Sequence, residues 1–273
     1  MGEKVTGNLL IIGGNEDKHN ECLILRKFIA MAGGREAKIA VITTATELPR
    51  EVGDEYRSMF LELGAASASI LYIGNREAAN DRHQAGEIEN ASGIFFTGGD
   101  QLRLTSILGG SKVDIAIRDA YHRGTVIAGT SAGASVMSDT MIVEGDSSDT
   151  LKKSSVNMAH GMGLLEEVVI DQHFAQRGRI NRLLAAVAQN PYVLGVGIDE
   201  DTALLVRSDA SCEVYGSQTV TIVDGKHIIH SNISESKLHD PLVLTNVLIH
   251  VLPEGYGFDL KRRNPFTVKE ISG

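Results

Sequence analysis

A lone hydroxyl, Ser131, stands between two glycines in "VIAGTSAGAS" (126–135), directly after a run with buried-strand character. The Gly129-x-Ser131-x-Gly133 spacing is that of a nucleophile elbow. A strand turns sharply into a helix, the flanking residues must lack side chains, and the hydroxyl stands clear at the turn. The backbone N–H of Ala132 would then face the oxyanion of an acyl-transfer intermediate, with the start of a helix adding partial positive charge. A glycine-rich turn whose serine merely caps a helix is the competing reading. The strand that precedes the motif is the setting an elbow requires.

A serine nucleophile needs a base, and the base needs a carboxylate to fix its tautomer. Of nine histidines, His173 differs from the rest by following the apolar run "VVI" and Asp171-Gln172, at the end of an expected strand. The acidic candidates are Asp171, Asp149 in "EGDSSDTLKK", and Asp199, Glu200 and Asp201 at the end of "YVLGVGIDED". Three adjacent carboxylates repel one another unless some are engaged. Glu200 is favoured as the acidic member, with Asp149 as the alternative.

Arg177, Arg179 and Arg182 follow His173, the last two sharing a helix face. Guanidinium forks pair bidentately with carboxylates, so the cluster suits an anionic substrate, while Asp171 could take a cation at the same place. Gly98-Gly99 would let backbone approach the substrate closely. Gly99 N–H is the expected second oxyanion donor, and the Gln101 side chain is a candidate to hydrogen-bond a substrate amide. "GGNED" (13–17) lacks the lysine and spacing of a phosphate loop, and no His/Cys/carboxylate set has metal-ligand spacing, so neither nucleotide nor metal is expected.

The elements that must position these residues alternate. "NLLIIGG" (8–14), "KIAVITT" (38–44), "ASILYIG" (68–74), "GIFFTGG" (93–99) and "TVIAG" (125–129) read as strands. Between them lie helical stripes, 22–31, then Val52, Tyr56, Met59, Phe60 and Leu63, then Val113, Ala116, Ile117 and Ala120. Strands apolar on both faces, separated by helices, predict a mostly parallel, doubly wound sheet flanked by helices. Ligands bind beyond the carboxyl ends of such strands, where the residues singled out above should converge. Ile180, Leu183, Leu184 and Val187 mark a later helix. Near the C-terminus "CEVYG", "TVTIVDG" and "HIIH" predict an antiparallel extension with a hairpin at Asp224-Gly225. One domain over 1–273 is expected.

Composition narrows the function classes. A net charge of −9 opposes general nucleic-acid or anionic-membrane binding, and no apolar run approaches the about 20 residues of a membrane span. The start of the chain reads as a first strand rather than a signal peptide, and its loose myristoylation pattern is discounted. Cys22 and Cys212 fall in apolar patterns as buried spectators, consistent with a reducing cytoplasm.

"LLIIGGNEDK", "IFFTGGDQLRL", "IAGTSAGAS" and "IDQHFAQRGRINRL" together resemble the cyanophycinase family, serine exopeptidases related to dipeptidase E. The resemblance runs from about residue 8 to the hairpin region. It implies a dipeptidase E-like fold, a dimer, no cofactor, and cleavage of cyanophycin, a poly-aspartate chain carrying an arginine on each β-carboxyl, to β-Asp-Arg dipeptides. It places the nucleophile on Ser131, the base on His173 and the acid on Glu200. Substrate contacts then fall on Gln101, Asp171, Gln172, Arg177, Arg179 and Arg182. The related dipeptidases carry their aspartate nearer the serine, which keeps Asp149 open. An aspartyl or isoaspartyl dipeptidase is the neighbouring alternative. A glutamine amidotransferase would need a thiol where Ser131 stands, and a binding protein without turnover is the reading from another class.

Overall fold

The computed structural model describes residues 7–145 and 150–268. Its first half follows the expected alternation of strand and helix. β1 (Leu9–Ile12), β2 (Lys38–Ile42), β3 (Ser67–Leu71), β4 (Gly93–Phe96) and β5 (Val126–Thr130) pair in parallel in the order β1-β5-β4-β2-β3. Alternate residues face opposite sides, so each strand feeds two cores. Leu10, Ile12, Ile39, Val41, Phe95 and Ala128 pack on one side against α1 (Leu23–Met31) and α2 (Pro49–Glu62). There Phe28, Tyr56, Phe60 and Phe95 form an aromatic cluster, with Tyr56 and Phe95 centroids 4.7 Å apart. Leu9, Ile11, Ile42, Phe96 and Ile127 face the other side. They meet α3 (Arg76–Ala79), α4 (Arg82–Asn90), α5 (Gln101–Leu108), α6 (Lys112–Arg123) and the single turn α7 (Ala132–Ser135). The stripe expected on α6, Val113, Ala116, Ile117 and Ala120, is fully buried there.

Beyond α7 a hairpin of β6 (Thr140–Glu144) and β7 (Asn157–His160) leads to β8 (Val168–Gln172), α8 (Ile180–Gln189) and β9 (Leu194–Ile198). β10 (Thr202–Val206) and β11 (Ser211–Gly216) then return to the main sheet, antiparallel, and β12 (Thr219–Asp224) leaves it again. The short pair β13 (His230–Ser231) and β14 (Leu244–Thr245) precedes β15 (Leu248–Pro253), β16 (Tyr256–Asp259) and β17 (Asn264–Thr267). The result is two sheets. β17-β16-β11-β10 extend the parallel half into nine strands, and β15-β12-β9-β8 form a separate sheet of four. The second sheet turns Ile170, Val196, Ile198 and Ile222 toward the main core, and α8 covers its outer face through Leu183 and Val187.

The expected hairpin at Asp224-Gly225 does not form. β12 pairs with β9 and β15, and the "HIIH" segment contributes only His230, to the two-residue β13. Gly225 is there for packing: a Cβ would lie 2.7 Å from Val187 Cγ1. Asp224 is buried and accepts from Lys226 N–H, so it begins a loop and not a two-residue turn. Among the described residues, no helix is long and apolar enough to cross a membrane.

Candidate active site

The site lies where the two sheets meet at the carboxyl ends of β1, β4, β5, β8 and β9. Ser131 follows β5 with φ 53° and ψ −112°, a strained conformation that holds its side chain out of the turn. A Cβ at Gly129 would lie 2.8 Å from Met137 Cε, and one at Gly133 would lie 2.5 Å from the Phe96 carbonyl. Both positions therefore require glycine for close packing. α7 is one turn long, so the donors beside Ser131 are discrete N–H groups more than a macrodipole.

His173 brings its ring to the hydroxyl: Ser131 Oγ and His173 Nε2 are 3.0 Å apart. His173 has φ 48° and follows β8 directly, and its N–H donates to the Gly13 carbonyl at 2.8 Å. The other ring nitrogen, Nδ1, is 2.7 Å from Glu200 Oε1. Burial pushes the His173 pKa down, with Arg177 and Arg179 acting in the same direction, while the bond to Glu200 opposes them. That same bond, above all, holds the Glu200 carboxyl below its usual value. Asp149 lies outside the described residues.

The three acidic residues in the β9–β10 crossing are all engaged, which answers their mutual repulsion. Glu200 faces His173. Asp199 accepts from Ala175 N–H at 2.9 Å and from the Thr219 hydroxyl at 2.7 Å. Asp201 accepts from Asp17 N–H at 2.9 Å and from the Ser217 hydroxyl at 2.8 Å.

The loop after β1, set aside as a phosphate loop, touches every one of these groups. Ser131 N–H donates to the Ile12 carbonyl at 3.1 Å. Gly14, with φ 103°, lies against the His173 ring, so a Cβ there would sit 2.5 Å from Nε2. Asn15 Nδ2 donates to Glu200 Oε2 at 3.1 Å. Glu16, buried, accepts from Thr130 Oγ1 at 2.6 Å and from the Tyr56 hydroxyl at 2.5 Å. Sequence reasoning placed Asn15 and Glu16 at the ligand edge without giving them a role, and it missed Tyr56. Their only signal was that a polar run, Asn15-Glu16-Asp17, stands at a buried strand's carboxyl end.

The expected substrate contacts are distributed differently from their sequence reading. Asp171 is 1% exposed, and its two oxygens are taken by Arg182, through Nε at 2.7 Å and through Nη2, and by Arg179 at 3.3 Å. It therefore holds no open position for a substrate cation. A carboxylate this deep must be paired, and Arg182, buried beside it, is its partner. Gln172 is likewise committed: Nε2 donates to Ser135 Oγ at 3.2 Å, and Oε1 accepts from Arg179 at 2.5 Å. Gln101 Nε2 donates to the Ile142 and Val143 carbonyls at 3.1 and 3.0 Å, tying α5 to β6. Arg177 is exposed and makes no ion pair among the described residues. Of the glycine pair, Gly98 lies against Ser131, its Cβ position 3.5 Å from that of the serine. Gly99, with φ 141°, is pressed onto the Ala45 carbonyl. Among the described residues neither Gly99 N–H nor Ala132 N–H is spent on another group.

A parallel sheet with a glycine-flanked serine at its carboxyl edge, an imidazole on the hydroxyl and a carboxylate behind the ring is the layout of a serine-type peptidase. Residues 9–214 match the model of peptidase family S51, and the chain belongs to that family. A cyanophycinase of Geminocystis herdmanii is 40% identical over 266 residues, which is 97% of this chain and 98% of the relative. One of Trichormus variabilis is 42% identical, over 93% of this chain and 86% of its own length. Among solved structures, a peptidase from an acI-B1 actinobacterium superposes with a TM-score of 0.70 at 22% identity, covering 94% of this chain and 98% of the other. A protein assigned as peptidase E from Listeria monocytogenes gives 0.56 at 17% identity, covering 78% of this chain and all of its own. At these identities the two structures speak to the fold.

Proposed function

We propose that the chain is a serine exopeptidase that hydrolyses cyanophycin to β-Asp-Arg dipeptides through Ser131, His173 and Glu200. The observation that carries the reading is the continuous relay of 3.0 Å from Ser131 Oγ to His173 Nε2 and 2.7 Å from Nδ1 to Glu200. The similarity to cyanophycinases over nearly the whole chain supplies the substrate.

In this mechanism the neutral ring carries its proton on Nδ1, donated to Glu200, and accepts the Ser131 proton on Nε2 as Oγ attacks a main-chain aspartyl carbonyl. The N–H groups of Ala132 and Gly99 stabilise the resulting oxyanion. The tetrahedral intermediate collapses as His173 returns the proton to the departing amine, leaving the acyl group on Ser131. Water, deprotonated by the same nitrogen, then releases it. Asp171 and Arg182 serve as a neutralised pair behind the site, fixing the segment that carries His173.

Incubation with purified cyanophycin, followed by mass analysis of the products, tests the reading. The intact chain is expected to release β-Asp-Arg, and Ser131→Ala to release none while still binding the polymer. Appreciable hydrolysis by that variant would remove Ser131 from its role. Preference for free Asp-X dipeptides over the polymer would favour a dipeptidase instead.

A further inference from the structure

Two strands away from the elbow, the carboxyl ends of β2 and β3 enclose a cavity of about 140 Å³, lined by Thr43, Thr44, Thr46, Tyr72 and Arg103 among others. Arg103, in the first turn of α5, donates from Nε to the Thr44 carbonyl at 2.9 Å, which fixes the guanidinium at the cavity. It makes no ion pair among the described residues, in a chain whose net charge is −9. Thr44 is 2% exposed, and its hydroxyl has no hydrogen-bond partner among the described residues. The cavity wall is continuous with the catalytic edge. Asp100 N–H donates to the Ala45 carbonyl at 2.9 Å, and Gly99 presses on that same carbonyl, one residue from the glycine that faces Ser131.

An anchored guanidinium without an anion, beside an unsatisfied buried hydroxyl, forms a site for a carboxylate, which accepts from both donors at once. In cyanophycin the aspartyl β-carboxyls are all used in amide bonds to the arginyl α-amines. The free carboxylates are the arginyl α-carboxylate of each branch and the one at the main-chain end. We propose that Arg103 and Thr44 hold the arginyl α-carboxylate of the substrate unit whose carbonyl lies at Ser131; this rests on the cyanophycin reading above.

The spans agree. Two strand spacings separate the end of β2 from that of β5, about 10 Å. From an aspartyl main-chain carbonyl carbon to its arginyl carboxylate carbon is six bonds, about 7 Å when extended. One hydrogen-bond length, about 3 Å, completes the distance. The branch guanidinium is repelled by Arg103 and is directed elsewhere, so the subsite orients the branch as well as binding it.

The test uses three synthetic (β-Asp-Arg) oligomers: the native form, one with arginine carboxamide branches, and one amidated at the main-chain end. Arg103→Ala is expected to raise KM for the native oligomer by about tenfold to a hundredfold, the loss of one charge-assisted pair, with kcat changed less. Arg103→Lys should recover part of this, and Thr44→Val should shift KM in the same direction. The intact chain should show the same KM penalty on the carboxamide-branched oligomer, and Arg103→Ala should not worsen that oligomer further, whereas it should worsen the oligomer amidated only at the main-chain end as it does the native one; the reverse pattern overturns the branch assignment. Calorimetric binding of the three oligomers to Ser131→Ala, with and without Arg103→Ala, gives the same comparison without turnover. Turnover with a KM and affinity indifferent to Arg103 overturns the subsite alone. Carboxylate-dependent binding without turnover by the intact chain keeps the subsite and overturns the peptidase reading, whereas neither binding nor turnover overturns both.

Discussion

His173 is pulled in two directions. Burial and the guanidiniums of Arg177 and Arg179 disfavour its protonated form, and Glu200 favours it, with the balance below the free value of 6.5. A general base works only when neutral, so a lowered pKa keeps the ring competent further into acid. The acid limb of kcat/KM is therefore expected to fall below pH 6.5. Glu200→Gln removes the group that raises the pKa, so its limb should move further to acid. At the same time kcat should drop by about 10³- to 10⁴-fold, because the ring loses the partner that sets its tautomer. Arg177→Ala acts oppositely, moving the limb toward 6.5, and the shift should shrink in high salt because Arg177 is exposed. A pH–rate series on the three proteins checks all of this. A limb that stays put in both variants would mean that His173 is not the titrating base.

At the scale of elements, the β1–α1 loop orders the site. It gives the Gly13 carbonyl to His173, Gly14 to the ring face, Asn15 to Glu200 and Glu16 to Thr130 beside the serine. Gly14→Ala should push the ring off Ser131 and lower kcat by about 10²-fold, the cost of a displacement near 1 Å, without comparable loss of helix signal. Gly34→Ala is the control: its φ of 61° is also positive, but nothing lies within 4 Å of the added carbon. It should cost some stability and leave kcat unchanged. Equal kcat losses in both would point to backbone strain and not to contact with His173. The parallel half of the fold was legible because each of its strands is an apolar run closed by glycine or polar residues. The elbow was legible because only glycine fits beside Ser131. The second sheet was not. "YVLGVGIDEDTALLVR" reads as one stretch, whereas the chain crosses from β9 to β10, between sheets, at Asp199-Glu200-Asp201. The arginine cluster was found and its pairing with Asp171 was not, since charge type and spacing do not show that Asp171 is deep enough to require Arg182 and Arg179.

Across the whole molecule, the seam between the two sheets must hold for His173, at the end of β8 in the second sheet, to reach Ser131, which follows β5 of the main sheet. One tie lies far from the chemistry. Arg263, between β16 and β17 of the main sheet, donates from Nη1 to Asp224 Oδ1 at 2.6 Å, at the end of β12 in the second sheet. Asp224 is 2% exposed and Arg263 12% exposed, so both have left water and depend on each other. Arg263 also donates to the Tyr192 carbonyl, which extends the tie to the segment before β9. Removing one partner strands the other: Arg263→Ala or Asp224→Ala should each destabilise by about 3 kcal/mol, at the low end for a buried pair because Arg263 keeps some exposure. For a chain of this size that corresponds to a fall of about 6–12 °C in Tm by calorimetry. The double variant should lose less than the sum of the two, because neither charge is then left unpaired, and the difference measures the coupling directly. Strict additivity would show that the sheets are held together by their apolar faces alone, with Ile170, Val196 and Ile222 against the main core, and that the ion pair is only a passenger at the rim.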